Sequence, residues 1–311
     1  SGKSMMAKCM PSILPPLSLG ESLETTKIHS VAGKLGKDSS LIAIRPFRSP
    51  HHTISQVAMV GGGTNPQPGE ISLAHNGLLF LDELPEFNRS VLEVLRQPLE
   101  DRHISIARAK YSLDYPASFM LVASMNPCPC GYYPDRNKCR CTQPQIEKYL
   151  GKISGPILDR IDLCVELHPV DILHLQKTKT EKSSEDMKRQ IRHARERQAE
   201  RFAGTDCRFN GDIRSAQVEE YCPLGEEGQK VMEQLYRTLQ LSARVYHRIL
   251  KTARTIADLE DREEITGEHL LEAACYLRRR IGINCVPEPG TLSVRQEKGA
   301  GTKITENVRA V

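Results

Sequence analysis

The sequence contains no tryptophan, and aromatic residues make up only 5% of its 311 residues. It also lacks any run of about 18 apolar residues, so no segment is expected to span a membrane. No signal peptide is recognisable at its start. Acidic and basic residues nearly balance, with a formal net charge of +4, so only a local concentration of Lys and Arg would indicate nucleic-acid binding.

Cysteine, in contrast, is well represented, with ten residues of which four are clustered. In a chain of this size the pattern favours metal ligation in a reducing compartment over a disulfide framework. The cytoplasm is therefore the expected location. Because single hydrophobic cores stop growing at about 250–300 residues, two domains are expected.

The periodicity of apolar residues predicts an α/β fold. Short apolar runs at 78–81 and 119–123 are typical of strands buried on both faces of a parallel sheet. A helix over 88–99 and a hairpin are predicted between them, whereas 41–70 is expected to be an insertion with at most a hairpin. Later segments with helical spacing are 187–202, 226–240, 242–259 and 268–280.

These patterns predict a parallel-sheet core followed by a small helical domain. The polar segment at 176–186 has the composition of a linker. The predicted divisions are a core over 1–175 with a Cys-rich loop at 127–142, a linker over 176–186, a helical domain over 187–281 and a disordered tail over 282–311.

A candidate nucleotide site begins at the first residue. Residues 1–4 (SGKS) match the second half of the phosphate-binding pattern G-x-x-x-x-G-K-[ST], whose first half is missing from the sequence. The apolar strand at 78–81 ends in two carboxylates, Asp82 and Glu83, which suit Mg²⁺ binding and activation of water. The alternative to a nucleotide site is that Gly2 and Lys3 form an ordinary loop and that Asp82 and Glu83 only cap the following helix. The cofactor-binding candidates are Ser1, Gly2, Lys3, Ser4 and Asp82, with Ser4 and Asp82 as Mg²⁺ ligands and Glu83 as the catalytic base.

Two further residues are candidates for phosphate chemistry. Asn126 follows the second buried strand, where its amide could touch the attacking water or the γ-phosphate; a turn Asn before Pro is the alternative. Arg160 is a candidate arginine finger supplied to the nucleotide of a neighbouring subunit. Its alternative is a surface ion pair with Asp159 or Asp162.

Four strings of the sequence resemble the magnesium-chelatase-like AAA+ ATPases of the YifB/ComM group. They are 45–53 (RPFRSPHHT), 68–77 (PGEISLAHNG), 126–131 (NPCPCG) and 242–248 (SARVYHR). The resemblance implies an AAA+ P-loop NTPase core with a C-terminal α-helical lid. It assigns Lys3 and Ser4 to Walker A, Asp82 and Glu83 to Walker B, Asn126 to the first sensor, Arg160 to the arginine finger and Arg244 to the second sensor.

The clustered cysteines form the pattern C-x-C-x₈-C-x-C, with Cys128, Cys130, Cys139 and Cys141. Four thiolates can complete a tetrahedral Zn²⁺ site, although a one-residue gap is tighter than usual. Free reduced thiols are the alternative.

Nucleic-acid contact is expected from two segments, because related ring helicases send such loops into a central channel. The candidates are Arg45, Arg48, His51 and His52 in the insertion, and Arg108 and Lys110 in the hairpin. Basic side chains there would bind phosphates without reading sequence. The alternative is that the insertion residues brace the insertion against its own or a neighbouring subunit.

The sequence features predict an ATP- and Mg²⁺-dependent phosphohydrolase. The resemblance implies that it is a ring motor, a hexamer of identical subunits, that acts on single-stranded or branched DNA as a helicase or branch-migration factor of the ComM type. One alternative is the motor subunit of a magnesium chelatase. A second is a non-catalytic binding fragment stabilised by zinc.

Overall fold

The computed structural model describes residues 2–36, 41–63, 66–108, 111–167 and 182–277. The predicted tail and residues 176–181 of the predicted linker lie outside these ranges. The strands are β1 (Phe47–Arg48), β2 (Gly61–Gly62), β3 (Gln67–Pro68), β4 (Leu78–Leu81), β5 (His103–Arg108), β6 (Tyr111–Pro116) and β7 (Met120–Ala123). The helices of the first part are Lys3–Cys9, Leu19–Val31, Gln56–Val60, Glu70–Leu73, Arg89–Glu93, Arg96–Asp101, Gln143–Leu150 and Gly155–Leu158.

Strands β1, β4 and β7 form a parallel sheet in the order β1-β4-β7. β4 lies in the middle, and its four side chains are all buried, as the continuous apolar run predicts. The same prediction is wrong for β7, which is last in the strand order and has an exposed Met120 and three half-buried side chains. The register pairs Leu78 with Met120 on one side and with Phe47 on the other. All three strands therefore end at the same edge of the sheet. β1 was not predicted, since only a hairpin was expected in the insertion.

Gly77 allows β1 and β4 to approach each other closely. A Cβ atom at this position would lie 2.0 Å from the carbonyl oxygen of Pro46, so only glycine fits without a shift of the backbone. The Leu78 amide also donates to that carbonyl at 2.8 Å. The start of β1 is thereby fixed relative to the start of β4.

The predicted hairpin is present as β5 and β6, which pair from His103 with Pro116 to Arg108 with Tyr111. The predicted helix over 88–99 is instead two short helices, Arg89–Glu93 and Arg96–Asp101. Pro98 explains the break, because its ring would clash with the carbonyl of the residue four positions earlier in a continuous helix.

Helices also form the second part of the chain, as predicted. They are Ser184–Arg201, Val218–Tyr221, Glu226–Leu239, Ala243–Leu259 and Gly267–Cys275. Their apolar faces enclose a hydrophobic cluster separate from the one that packs around the sheet. Within the described residues, no helix is both long and apolar enough to cross a membrane.

Candidate active site

Polar side chains meet at the edge where the parallel strands end. The Lys3 ammonium donates to Asn126 Oδ1 at 2.6 Å and to the Met125 carbonyl at 3.0 Å. The Ser4 hydroxyl donates to Asp82 Oδ2 at 2.5 Å. Asp82 follows β4, and Asn126 lies just beyond β7. Parallel strands present their carboxyl ends at one edge, which is where ligands bind in open α/β sheets. Four side chains predicted from three distant segments therefore lie together.

Asp82 is held by three donors from different parts of this edge. Ser124 donates to Oδ1 through its hydroxyl, the Glu83 amide donates to the same oxygen at 3.1 Å, and Ser4 occupies Oδ2. Burial raises the pKa of Asp82, but these hydrogen bonds and the charge of Lys3 outweigh it, so the net pKa is lowered. An ionised Asp82 beside a hydroxyl supplies the hard oxygen ligands that Mg²⁺ prefers.

Ser124 was missed by the sequence analysis. The signal available was its position directly after β7, two residues before Asn126. A short polar residue at a strand end attracts little attention alone, because Ser is common in turns. Its partner, Asp82, lies 42 residues away in the sequence, so the contact depends on the pairing of β4 with β7.

Glu83 points differently from Asp82 because its backbone is left-handed, with φ of 55°. Such a conformation is uncommon for a residue other than glycine. Its side chain is 58% exposed, and Oε2 lies 3.9 Å from His52 Nδ1. The His52 ring stacks on His51 with centroids 4.0 Å apart. The carboxylate is thus accessible to water at the edge of the site, next to a residue that was predicted for DNA contact.

Arg160 follows the helix Gly155–Leu158 and is 13% exposed. Its Nη2 donates to Glu100 Oε1 at 2.5 Å, and Nη1 donates to the Pro156 carbonyl at 2.7 Å. The ion-pair alternative named Asp159 or Asp162, whereas the partner found is Glu100. Neither of these partners belongs to the group of side chains around Lys3 and Asp82.

Of the remaining nucleotide-site candidates, Gly2 is exposed and immediately precedes the helix Lys3–Cys9, and Ser1 lies outside the described residues. Arg244 is exposed in the first turn of the helix Ala243–Leu259, which is capped by the Ser242 hydroxyl. It is thus free to reach beyond the helix surface.

The four clustered cysteines bring their sulfur atoms within 4.8 Å of one another. Cys128 Sγ lies 3.3 Å from Cys130 Sγ and 3.7 Å from Cys139 Sγ, and the last two are 3.6 Å apart. A disulfide requires about 2.05 Å. Sulfurs at the corners of a tetrahedron around Zn²⁺, each about 2.3 Å from the metal, are about 3.8 Å apart. The spacing therefore fits a shared metal better than paired thiols.

The surroundings of the cluster shift the pKa values of its thiols in opposite directions. A hydrogen bond from the Tyr132 amide lowers the pKa of Cys130 to about 6, whereas desolvation raises that of Cys139 to about 11. Cys128 and Cys139 are buried against Ile146 of the helix Gln143–Leu150. The loop is thus anchored to a helix on one side and joined to Asn126 on the other. The described cluster can bind a metal ion.

The basic residues of the insertion make internal contacts. Arg45 donates to the carbonyls of Pro15 and Asn76 at 2.7 and 2.8 Å and pairs with Glu21 at 3.2 Å. Arg48 binds both oxygens of Glu70, each at 2.6 Å. These contacts favour the bracing alternative for both arginines. His51 is exposed, whereas Lys110 and the side chain of Arg108 lie outside what the structure describes.

Comparison with known families gives matches over both parts of the chain. The family described as magnesium chelatase, subunit ChlI, matches residues 1–175, and the family described as its C-terminal region matches residues 181–277. The chain belongs to the magnesium chelatase ChlI family. This membership and the parallel sheet with its helical C-terminal region confirm the predicted AAA+ fold class.

Relatives of this ChlI-family chain include longer bacterial proteins. The uncharacterized protein YifB of Salmonella typhimurium is 45% identical over 278 residues, which are 89% of this chain and 54% of that protein. The competence protein ComM of Haemophilus influenzae is 44% identical over 278 residues, 89% of this chain and 53% of its own. The uncharacterized protein Rv2897c of Mycobacterium tuberculosis is 42% identical over 263 residues, 84% and 52% of the two chains. The chain thus spans about half the length of these relatives, and the resemblance to the YifB/ComM group is confirmed.

Proposed function

We propose that this chain is the motor region of an enzyme that hydrolyses ATP with Mg²⁺. The observation that supports it best is the hydrogen-bonded set of Lys3, Ser4, Asp82 and Asn126 at the end of the parallel strands. Phosphoryl transfer requires little beyond positioned charge, a metal and an oriented water. This set and the adjacent Glu83 include the residue types for each of these parts.

Each residue has a distinct role in this proposal. Lys3 neutralises phosphate charge, and its present contact with Asn126 marks where a phosphate oxygen would compete for the ammonium. Ser4 and Asp82 would hold Mg²⁺, which would supply positive charge to neutralise the charge that develops on the phosphate. Glu83 accepts a proton from the attacking water. Asn126 orients that water or the γ-phosphate.

A ring of identical subunits, six in the expected form, would complete the site. Arg160 then reaches the nucleotide of the neighbouring subunit, and Arg244 acts from the helical region on the nucleotide of its own. The predicted divisions into core, linker, helical lid and tail fit this assignment. In the proposal, the cysteine cluster holds one Zn²⁺ and stabilises the loop that follows Asn126.

The substrate proposed for the motor is single-stranded or branched DNA in the cytoplasm. Support comes from the 44% identity to a competence protein and from the exposed His51 in the insertion. A magnesium-chelatase motor is the second candidate, favoured by the description of the matching family. A zinc-stabilised binding fragment without catalysis is the third, and it predicts that ATP does not bind.

One experiment tests these candidates together. ATP hydrolysis is measured on a protein that carries the complete phosphate-binding pattern, alone and with single-stranded or branched DNA. We expect turnover that DNA increases. Turnover that DNA leaves unchanged, but that a metal-binding partner subunit increases, would support the chelatase. Absence of both ATP binding and turnover would refute the proposed enzyme.

A further inference from the structure

Arg248 joins two parts of the molecule that the proposed function assigns to different nucleotides. It lies on the helix Ala243–Leu259, one turn after Arg244. Its Nη1 donates to the carbonyl oxygens of Asp159 and Ile161, at 3.3 and 3.1 Å. These carbonyls belong to the residues on either side of Arg160. A single guanidinium therefore holds the backbone both before and after the candidate finger.

Arg160 and Arg248 also share an unusual feature. Each has a buried Nε with no hydrogen-bond partner among the described residues. Guanidinium groups present five N–H donors in a fixed fork, and buried donors are nearly always satisfied. Within the described part of the chain, each side chain therefore has one N–H donor without an acceptor. That donor can bind a new acceptor if the backbone around Arg160 moves. The contacts of Arg160 with Glu100 and Pro156 use its two Nη atoms and leave Nε without an acceptor among these described residues.

We propose that Arg248 is a positioning residue that couples a subunit's own nucleotide to the arginine finger it offers to its neighbour. The helix that carries Arg248 also carries Arg244, so a shift of this helix when nucleotide binds moves the carbonyls on both sides of Arg160. The inference rests on the proposed function, because it requires Arg160 to act in trans. It assigns no contact with the nucleotide to Arg248 itself.

The test compares Arg248→Ala and Arg248→Lys with Arg237→Ala as the control. Arg237 is exposed on the helix Glu226–Leu239, where it pairs with Glu233. All variants are made in a protein with the complete phosphate-binding pattern. Three quantities are measured: the Kd for ATP, kcat at saturating ATP, and hydrogen exchange of a peptide covering residues 159–164.

We expect Arg248→Ala to leave the Kd for ATP within about twofold and to lower kcat by about tenfold or more, since a displacement near 1 Å can cost about a hundredfold. Exchange in 159–164 should accelerate. Arg248→Lys keeps one cationic donor and should recover part of both effects. The control should match wild type. If Arg248→Ala does not fold, Arg248→Lys is compared with Arg237→Ala instead, and it should show a smaller loss of kcat and a smaller increase in exchange.

Mixing subunits distinguishes positioning in trans from a role at the subunit's own nucleotide. Rings of Arg248→Ala and Lys3→Ala subunits contain interfaces with an intact lysine and a correctly held finger, so activity should recover as it does for Arg160→Ala. If mixing with Lys3→Ala restores activity to Arg160→Ala but not to Arg248→Ala, the inference is overturned and the proposed function stays intact. The same holds if the kcat of Arg248→Ala equals that of the control. Full turnover by Arg160→Ala refutes the finger itself, and with it the inference.

Discussion

Replacing Glu83 by Gln separates catalysis from binding more cleanly than any other change at this site. The side chain keeps its size, is already 58% exposed, and among the described residues forms an ion-pair contact with His52 at 3.9 Å. Such an exposed pair contributes about 0–1 kcal/mol to stability. Gln can occupy the same left-handed position as Glu, so we expect the fold to be unchanged.

The expected effect is on the chemical step. A positioned general base contributes about 10²- to 10⁴-fold, so kcat should fall by at least about a hundredfold, or about 2.7 kcal/mol of barrier. The Kd for ATP should stay within about threefold of wild type, because Glu83 binds neither phosphate nor metal in the proposal. Phosphate release at saturating Mg²⁺-ATP gives kcat, and titration with a fluorescent nucleotide gives the Kd.

Two further variants make this result interpretable. Glu86→Gln is the control, since Glu86 lies three residues later and pairs with exposed Lys152 at 3.2 Å. It should turn over at the wild-type rate. Asp82→Asn should instead weaken Mg²⁺-dependent nucleotide binding, because it removes the charge that three donors and the proposed metal share. A Glu83→Gln protein with near-normal kcat, or one no slower than Glu86→Gln, would refute the role of Glu83.

The remaining predictions concern the metal, the ring and the helical region. Protein purified without added metal should contain about one Zn²⁺ per chain by elemental analysis, as four thiolates require; a metal-free protein whose clustered thiols all react freely would contradict this. Arg160→Ala and Lys3→Ala should each be inactive alone and active when mixed in one ring, which a turnover assay on mixed subunits checks; mixed rings that recover nothing would exclude the inter-subunit site. Asp258→Ala should lower the free energy of unfolding in urea by about 3–5 kcal/mol, because it leaves buried Arg254 without its carboxylate, whereas Glu233→Ala at an exposed pair should cost less than about 1 kcal/mol. Burial raises the pKa of Asp258 but its hydrogen bonds outweigh this and lower it overall, so its contribution should be present above the ordinary carboxyl pKa and be lost as the pH falls below it.

The sequence predicted those parts of the site that depend on local pattern. The buried strand β4 was predicted from four consecutive apolar residues, and the carboxylates at its end follow directly in the sequence, whereas β7 has a similar run and is only half-buried. The convergence of Lys3, Asp82 and Asn126 then requires only that the strands be parallel. The break between the helices Arg89–Glu93 and Arg96–Asp101 was not predicted, although Pro98 in the second helix is the signal that would have indicated it.

Contacts that depend on distant partners could not be predicted in this way. β1 has two residues, too few for any periodicity, and it is a strand because Gly77 admits Pro46 beside β4. The charges of Arg45 and Arg48 suggested phosphate binding, but their partners lie 24 and 22 residues away in the sequence. A net charge does not reveal such pairs, and only the folded chain brings them together.

The same reasoning explains why the position of His52 changes its interpretation. In the sequence it belongs to a basic insertion, and its neighbours suggested DNA. In the structure, the parallel pairing of β1 with β4 brings the segment after β1 to the edge where β4 ends and Glu83 follows. His52 lies in the insertion proposed to meet DNA and contacts the proposed base, Glu83. We therefore expect His52 to link DNA binding to the chemical step at Glu83. If DNA increases turnover, His52→Ala should reduce that increase while unstimulated kcat changes less, and an equal loss with and without DNA would show that His52 serves the base alone.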